Sequence, residues 1–192
     1  ARDTRNEGIV AAKDSEAPPI EGDVSVRLIP TAPFTASMFQ MDLLVAAMAR
    51  RRLWIADAYF IGHGPYADAL SRASRDGVDV RLLLPQGSDV GWTVPVSRSL
   101  YRSLLSAGVR VFEWTGSMMH AKTAVADSRW SRVGSTNLNI NSWLGNWELD
   151  VAIDDEAVAR TMEAQFEEDM AHATEITLSE RGRLLASGPS RR

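Results

Sequence analysis

The sequence predicts an α/β fold: a mixed, mostly parallel β-sheet flanked by helices on both faces, within one domain over residues 23–178. Three observations lead there. Short apolar or alternating runs of strand length recur along the chain, and segments with apolar residues at helical spacing separate the first of them. Glycine or proline stands at most of the junctions, and a length of 192 residues suits a single domain.

Residues 24–29 alternate apolar and polar side chains, as a half-buried strand does. Thr35 or Ser37 is placed to cap a helix running to about Arg52, with Phe39, Leu43, Leu44, Ala47 and Met48 as its buried stripe. Residues 53–60 form an apolar strand, and Pro65 suits the first turn of a helix that stops before Gly77. A strand over 78–84 is closed by Pro85; a helix over 97–107 stops at Gly108 and leads into a strand over 109–114. The pattern then changes. Strands over 122–126, 132–134 and 148–153 follow with no room for crossover helices, and Asp127-Ser128-Arg129 forms a hairpin turn between the first two. A last helix covers about 155–171, with Val158, Met162, Phe166 and Met170 inward. Residues 1–22 and 179–192 are polar or rich in Gly, Pro and Arg, and read as flexible tails or linkers.

Composition removes several functional classes. The chain is 45% hydrophobic and 24% charged, ordinary for a globular protein, and its net charge of −4 disfavours a dedicated nucleic-acid binder. With no cysteine there is no disulfide framework or thiolate metal site, and three histidines are too few for most all-histidine metal sites. No apolar run approaches the roughly 18–20 residues of a membrane span. The polar start, acidic from Asp3, lacks a signal-peptide pattern. The expected location is cytoplasmic, or peripheral at the inner face of a membrane.

The chemistry concentrates in residues 120–148. In a strand, His120 and Lys122 point to one side about 6.6 Å apart. An ammonium there neutralises phosphate oxygens, and a neutral imidazole can attack phosphorus. Gly134-Ser135-Thr136-Asn137 adds close backbone approach, a hydroxyl and an amide, neutral donors suited to a singly charged phosphodiester. Glu148 can accept the second imidazole N–H and fix its tautomer. Asp127, seven residues from His120, falls on the opposite side and suits a structural role, accepting backbone N–H groups or pairing with a cation. His63, in a Gly-Pro loop after a strand, and Trp143 are candidates to line the pocket. Trp143 and Trp147 flank its mouth as candidates for a membrane interface. Trp54 and Trp114 fall in strand patterns and read as core, and His172 reads as a solvated helix-end residue.

His120-x-Lys122-x4-Asp127-x6-Gly134-Ser135-x-Asn137 matches the HKD motif of the phospholipase D superfamily at every defining position. Asn146-x-Glu148 resembles that family's acidic position. Ala58-Tyr59-Phe60, Asp76-Gly77-Val78-Asp79-Val80 and Ala107-Gly108-Val109-Arg110-Val111 resemble the second half of bacterial cardiolipin synthase-like enzymes. The resemblance covers roughly residues 24–172 and implies one phospholipase D-like half domain. It further implies that His120 is the nucleophile or its acid/base partner, that a phosphohistidine forms, and that Lys122, Ser135 and Asn137 hold phosphate oxygens while Glu148 orients His120. Asp127 belongs to the same catalytic motif. No metal or other cofactor is implied. The family's site needs two motifs and this sequence has one, since neither His63 nor His172 has the x-Lys spacing. The second HKD motif is therefore expected from an N-terminal half of a longer enzyme, or from a homodimer partner. A phospholipid is the leading substrate, with peripheral membrane contact. A homodimeric single-motif phosphodiesterase or nuclease is the alternative, and nucleic acid ranks behind phospholipid as a partner.

Overall fold

A computed structural model describes residues 22–62, 64–179 and 183–187. In chain order the elements are β1 (Ser25–Thr31), α1 (Ser37–Met48), β2 (Arg52–Asp57), α2 (Gly64–Arg75), β3 (Asp79–Pro85), α3 (Thr93–Ser106) and β4 (Arg110–Trp114). They continue with β5 (Lys122–Ala126), β6 (Trp130–Gly134), α4 (Ile140–Leu144), β7 (Glu148–Asp154), α5 (Glu156–Ala171), β8 (Ala173–Leu178) and β9 (Leu184–Ser187). The strands form one sheet in the order β1-β7-β6-β5-β2-β3-β4-β8-β9.

The sheet is mixed and flanked by helices on both faces, as the alternation of patterns implies. Only β2–β3 and β3–β4 are parallel, so the expectation of a mostly parallel sheet is corrected: the other described pairings are antiparallel. Parallel neighbours need a crossover, and only α2 and α3 supply one between sheet neighbours. The two faces separate cleanly along β2. Leu53 and Ile55 join the core beneath α1, α2 and α3, while Trp54 and Ala56 join the one beneath α5.

Several boundaries move for local reasons. α1 ends at Met48 because the Asp127 carboxylate takes the N–H groups of Arg50, Arg51 and Arg52 at 2.8, 2.7 and 3.0 Å. β2 ends at Asp57, whose side chain accepts the Tyr59 N–H at 2.9 Å and turns the chain. α3 starts at Thr93, with Pro95 tolerated in the first turn, where its missing N–H costs nothing. The stripe assigned to α1 is also corrected. Leu44 and Met48 are exposed; Met38, Asp42 and Ala46 are buried, because Asp42 is drawn inward by a cation described below. Residues 184–187, read as part of a tail, pair antiparallel with β8, itself a strand the sequence reading left without an element.

Candidate active site

The end of β2, the start of β5, the end of β6 and the start of β7 meet at one end of the sheet. Strand register fixes this: Asp57 lies opposite Lys122, Gly134 opposite Asp150, and Glu148 opposite Thr31 on β1. His120 stands just before β5, exposed, rather than within the strand. Lys122 is buried, and its ammonium donates to the His120 carbonyl at 3.1 Å. Both side chains gather around Tyr59: the imidazole is edge-on to the phenol ring with centroids 5.7 Å apart, and Lys122 Nζ lies 5.7 Å from the same ring centre. The Tyr59 hydroxyl in turn donates to Asp89 at 2.7 Å.

The phosphate-binding candidates lie alongside. Ser135 donates its hydroxyl to Glu148 Oε2 at 2.5 Å and accepts the Leu149 N–H at 3.0 Å. Asn146 donates to Glu148 Oε1 at 3.1 Å, so neutral donors hold both carboxylate oxygens. The reading in which Glu148 receives the imidazole N–H is not the bonding seen here: among the described residues the His120 ring makes no hydrogen bond, and Ser135 has taken that oxygen. Asn137 donates weakly to Ser142 at 3.4 Å, and its buried Oδ1 has no partner among the described residues. Burial lowers the Lys122 pKa, while Asp57 and Glu148 pull the other way.

Two buried charge centres that sequence reasoning missed hold this end of the sheet. Asp57, 1% exposed, accepts the N–H groups of Tyr59 and Leu138 and so ties the Tyr59 turn to the 135–139 loop. Burial pushes its carboxyl up to about 7 against the opposing pull of the Leu138 N–H, Arg132, the Tyr59 N–H and Lys122. Arg132, also 1% exposed, donates to Asp42 at 2.9 Å, to Asp150 at 3.1 Å and to the Thr136 carbonyl. Thr136 returns its hydroxyl to Asp150, and Trp143 Nε1 donates to Asp42 at 3.1 Å. Burial raises Asp42 to about 6, with Arg132 as the main opposing influence. Gly134 belongs to this packing, because a Cβ there would overlap the Asp150 carboxylate. The available signals were a lone acid inside each apolar run, Asp57 in 53–60 and Asp42 in 41–48.

Two assignments change. Trp143 does not line the pocket: it is fully buried, edge-on to Tyr66 at 5.6 Å and against Phe39 at 4.8 Å, because its indole N–H serves Asp42. Trp147, which precedes Glu148 in the chain, is 70% exposed. Asp127 is separated from His120 by the length of β5, about 17 Å at 3.3–3.4 Å per residue, so it is removed from the catalytic set. Its structural role stands. Burial would raise its pKa, but the N–H groups of Arg52, Arg51 and Arg50 outweigh this and hold it low. Asp127 and Ser128 take the left-handed conformation of the hairpin turn, φ 53° and 57°. His63 lies outside the described residues. His172 caps the C-terminus of α5, its ring edge-on to Trp114.

Among the described residues no group of three or more His, Asp or Glu side chains could hold a metal ion, and no helix is long and apolar enough to cross a membrane. The arrangement sets an exposed imidazole beside a buried lysine and short polar side chains.

Residues 44–170 match the family described as cardiolipin synthase, PLD-like domain. A probable cardiolipin synthase of Bacillus subtilis, YwiE, is 31% identical over 174 residues, which is 90% of this chain and 35% of that protein. A cardiolipin synthase of Clostridium perfringens is 38% identical over 130 residues, 68% of this chain and 27% of that protein. The chain thus spans about a third of these curated relatives, or less. Among solved structures, Nuc from Salmonella typhimurium, a phospholipase D family member, superposes with a TM-score of 0.71 at 17% identity, over 81% of this chain and 99% of that one. That likeness concerns the fold.

Proposed function

The chain belongs to the cardiolipin synthase, PLD-like domain family, and from that premise we propose that it supplies one half of a phospholipid phosphodiesterase or phosphatidyltransferase site, with His120 as nucleophile. The observation that carries the reading is the gathering of His120, Lys122, Ser135, Asn137 and Glu148 at one end of the sheet. The His120 imidazole attacks phosphorus, a P–N bond forms, and the P–O bond to the headgroup alcohol breaks. A second imidazole protonates the departing oxygen. That imidazole then deprotonates water or an incoming alcohol, which attacks the phosphohistidine and releases His120. Lys122 and the amide of Asn137 hold the non-bridging oxygens. When the phosphate draws the Ser135 hydroxyl away, the freed Glu148 oxygen accepts the imidazole N–H and orients the ring.

One imidazole cannot both attack and protonate in the same step, so the reading calls for a second HKD motif, which we assign to another part of a longer polypeptide. Phe34 and Trp147, 90% and 70% exposed on loops beside the site, favour peripheral contact with a membrane, at its inner face if the protein is cytoplasmic. The test is headgroup exchange and hydrolysis on phosphatidylglycerol vesicles by the polypeptide carrying both motifs, with and without His120→Asn. Turnover should vanish in the variant at unchanged melting temperature; full turnover in the variant rejects the nucleophile assignment.

A homodimer acting on phosphodiesters or nucleic acid is the second reading, favoured by one observation: this fold makes up 99% of the Nuc chain. The net charge of −4 of the present chain argues against the nuclease version, and a failure to bind DNA at any salt concentration would remove it.

A further inference from the structure

The His120 imidazole makes no hydrogen bond among the described residues, and both Glu148 oxygens are engaged, by Ser135 at 2.5 Å and by Asn146 at 3.1 Å. An exposed histidine held by nothing samples three χ1 wells and about two χ2 states, roughly six orientations. The contact this ring does make is with Tyr59. The two rings stand at 80° with centroids 5.7 Å apart, inside the range of about 4.5–7 Å for attractive perpendicular pairs.

Tyr59 is itself fixed at three points. Its N–H donates to the Asp57 carboxylate at 2.9 Å, its carbonyl accepts from Asn139 Nδ2 at 3.0 Å, and its hydroxyl donates to Asp89 Oδ1 at 2.7 Å. The first two bonds hold the backbone; the third ties the far end of the ring to residues 86–92, the connection between β3 and α3. Ser88 adds its hydroxyl to the same Asp89 oxygen at 3.3 Å. The Tyr59 hydroxyl, foremost among its neighbours, holds the Asp89 carboxyl below its ordinary pKa, and Asp89 in turn raises that of the phenol. Donor and acceptor therefore keep their roles through the neutral range. The same ring lies 5.7 Å from the Lys122 ammonium, within the roughly 6 Å over which an aromatic face attracts a cation.

We propose that Tyr59 is a positioning residue: its ring, locked by Asp89, sets the orientation of the His120 imidazole before substrate arrives. It also favours the positive charge that the imidazole gains when one nitrogen bonds phosphorus and the other keeps its proton. The inference rests on reading His120 as the nucleophile. Tyr59 lies outside the 120–137 motif, forms no bond to phosphorus and moves no proton; it acts through His120 and Lys122.

Two measurements test this. In the 192-residue chain, three-bond couplings and ring-to-ring nuclear Overhauser effects report the His120 side chain directly. The parent is expected to show one χ1 rotamer with the imidazole protons close to the Tyr59 ring; couplings averaged over several rotamers overturn the proposal. In the polypeptide carrying both motifs, Tyr59→Leu should lower kcat on phosphatidylglycerol vesicles by about sixfold, the number of orientations released, with KM within about twofold. Tyr59→Phe keeps the ring and loses only its anchor, so it and Asp89→Ala should each lower kcat by the same smaller factor, about two- to threefold. Asp89→Ala should then cost nothing further in the Tyr59→Leu background, because its effect passes through the phenol. An unchanged kcat in Tyr59→Leu, a loss confined to KM, or an Asp89→Ala loss that persists without the ring overturns the proposal. Should Tyr59→Leu fail to fold, unequal losses in Tyr59→Phe and Asp89→Ala, or none in either, overturn it instead. The coupling measurement needs neither turnover nor a second motif, so its failure is distinct from full turnover in His120→Asn, which rejects the nucleophile.

Discussion

Replacing Arg132 with leucine removes a guanidinium that is 1% exposed and donates to two carboxylates and a carbonyl. Asp42 and Asp150, 3% and 0% exposed, are left without their cation, and the Thr136 carbonyl loses a donor. Breaking one partner out of a buried ion pair costs about 3–5 kcal/mol, and with two carboxylates stranded the upper half of that range applies. In a domain of this size each kcal/mol lowers the melting temperature by about 2–4 °C, so the fall should lie between about 8 and 20 °C. The deficit also has a sign with pH. Asp42 has its folded pKa raised from 3.8 to about 6, so its favourable contribution is complete below 3.8 and is lost as pH rises through about 6. Arg132 opposes that rise; without it the pKa climbs further, and the ionised form becomes the expensive one. Arg132→Leu should therefore lose more stability at pH 8 than at pH 5. Thermal melts followed by circular dichroism at the two pH values decide it. A fall under about 2 °C, or equal deficits at both pH values, would refute the view that this network carries its charges buried and paired.

Gly134→Ala forces a Cβ into the Asp150 carboxylate and should cost about 1–3 kcal/mol, read as a lower melting temperature, with activity on phosphatidylglycerol reduced in parallel. Asp127→Ala strands three backbone N–H groups and should destabilise by about 1–3 kcal/mol, yet turnover per folded molecule should equal that of the parent; a specific loss of turnover would return Asp127 to the catalytic set. Asp57 has its folded pKa raised from 3.8 to about 7, so its contribution to stability is full below 3.8 and declines as pH rises toward 7. Asp57→Asn should remove that decline, and parallel melting profiles for parent and variant from pH 4 to 7 would show that Asp57 is ionised throughout.

The sheet and its helices were legible because burial imposes period on sequence: β2, β3 and β4 are apolar runs, and α2 and α5 show helical spacing. The candidate site was legible because its residue types and spacing follow the motif that the sequence resembles. What escaped was whatever depends on a partner distant in sequence. Asp42 is a lone acid in an apolar helix, and the reason for its burial, Arg132, lies ninety residues on. Trp143 reads as a surface indole for the same reason, since its N–H partner is Asp42. Glu148 was aimed at His120, but Ser135 stands across the adjacent strand and takes its oxygen first. β8 and β9 carry weak alternation of their own and gain strand structure by pairing along β4.

The central claim, that His120 forms a covalent bond to phosphorus, is tested most directly by trapping the intermediate. The two-motif polypeptide is mixed with phosphatidylglycerol, quenched within a turnover under alkaline conditions that preserve phosphohistidine, digested and mapped by mass. A phosphatidyl adduct on the peptide bearing His120, absent from the His120→Asn protein, is the expected result. An adduct on the histidine of the other motif, with His120 unmodified, would contradict it and make His120 the proton donor.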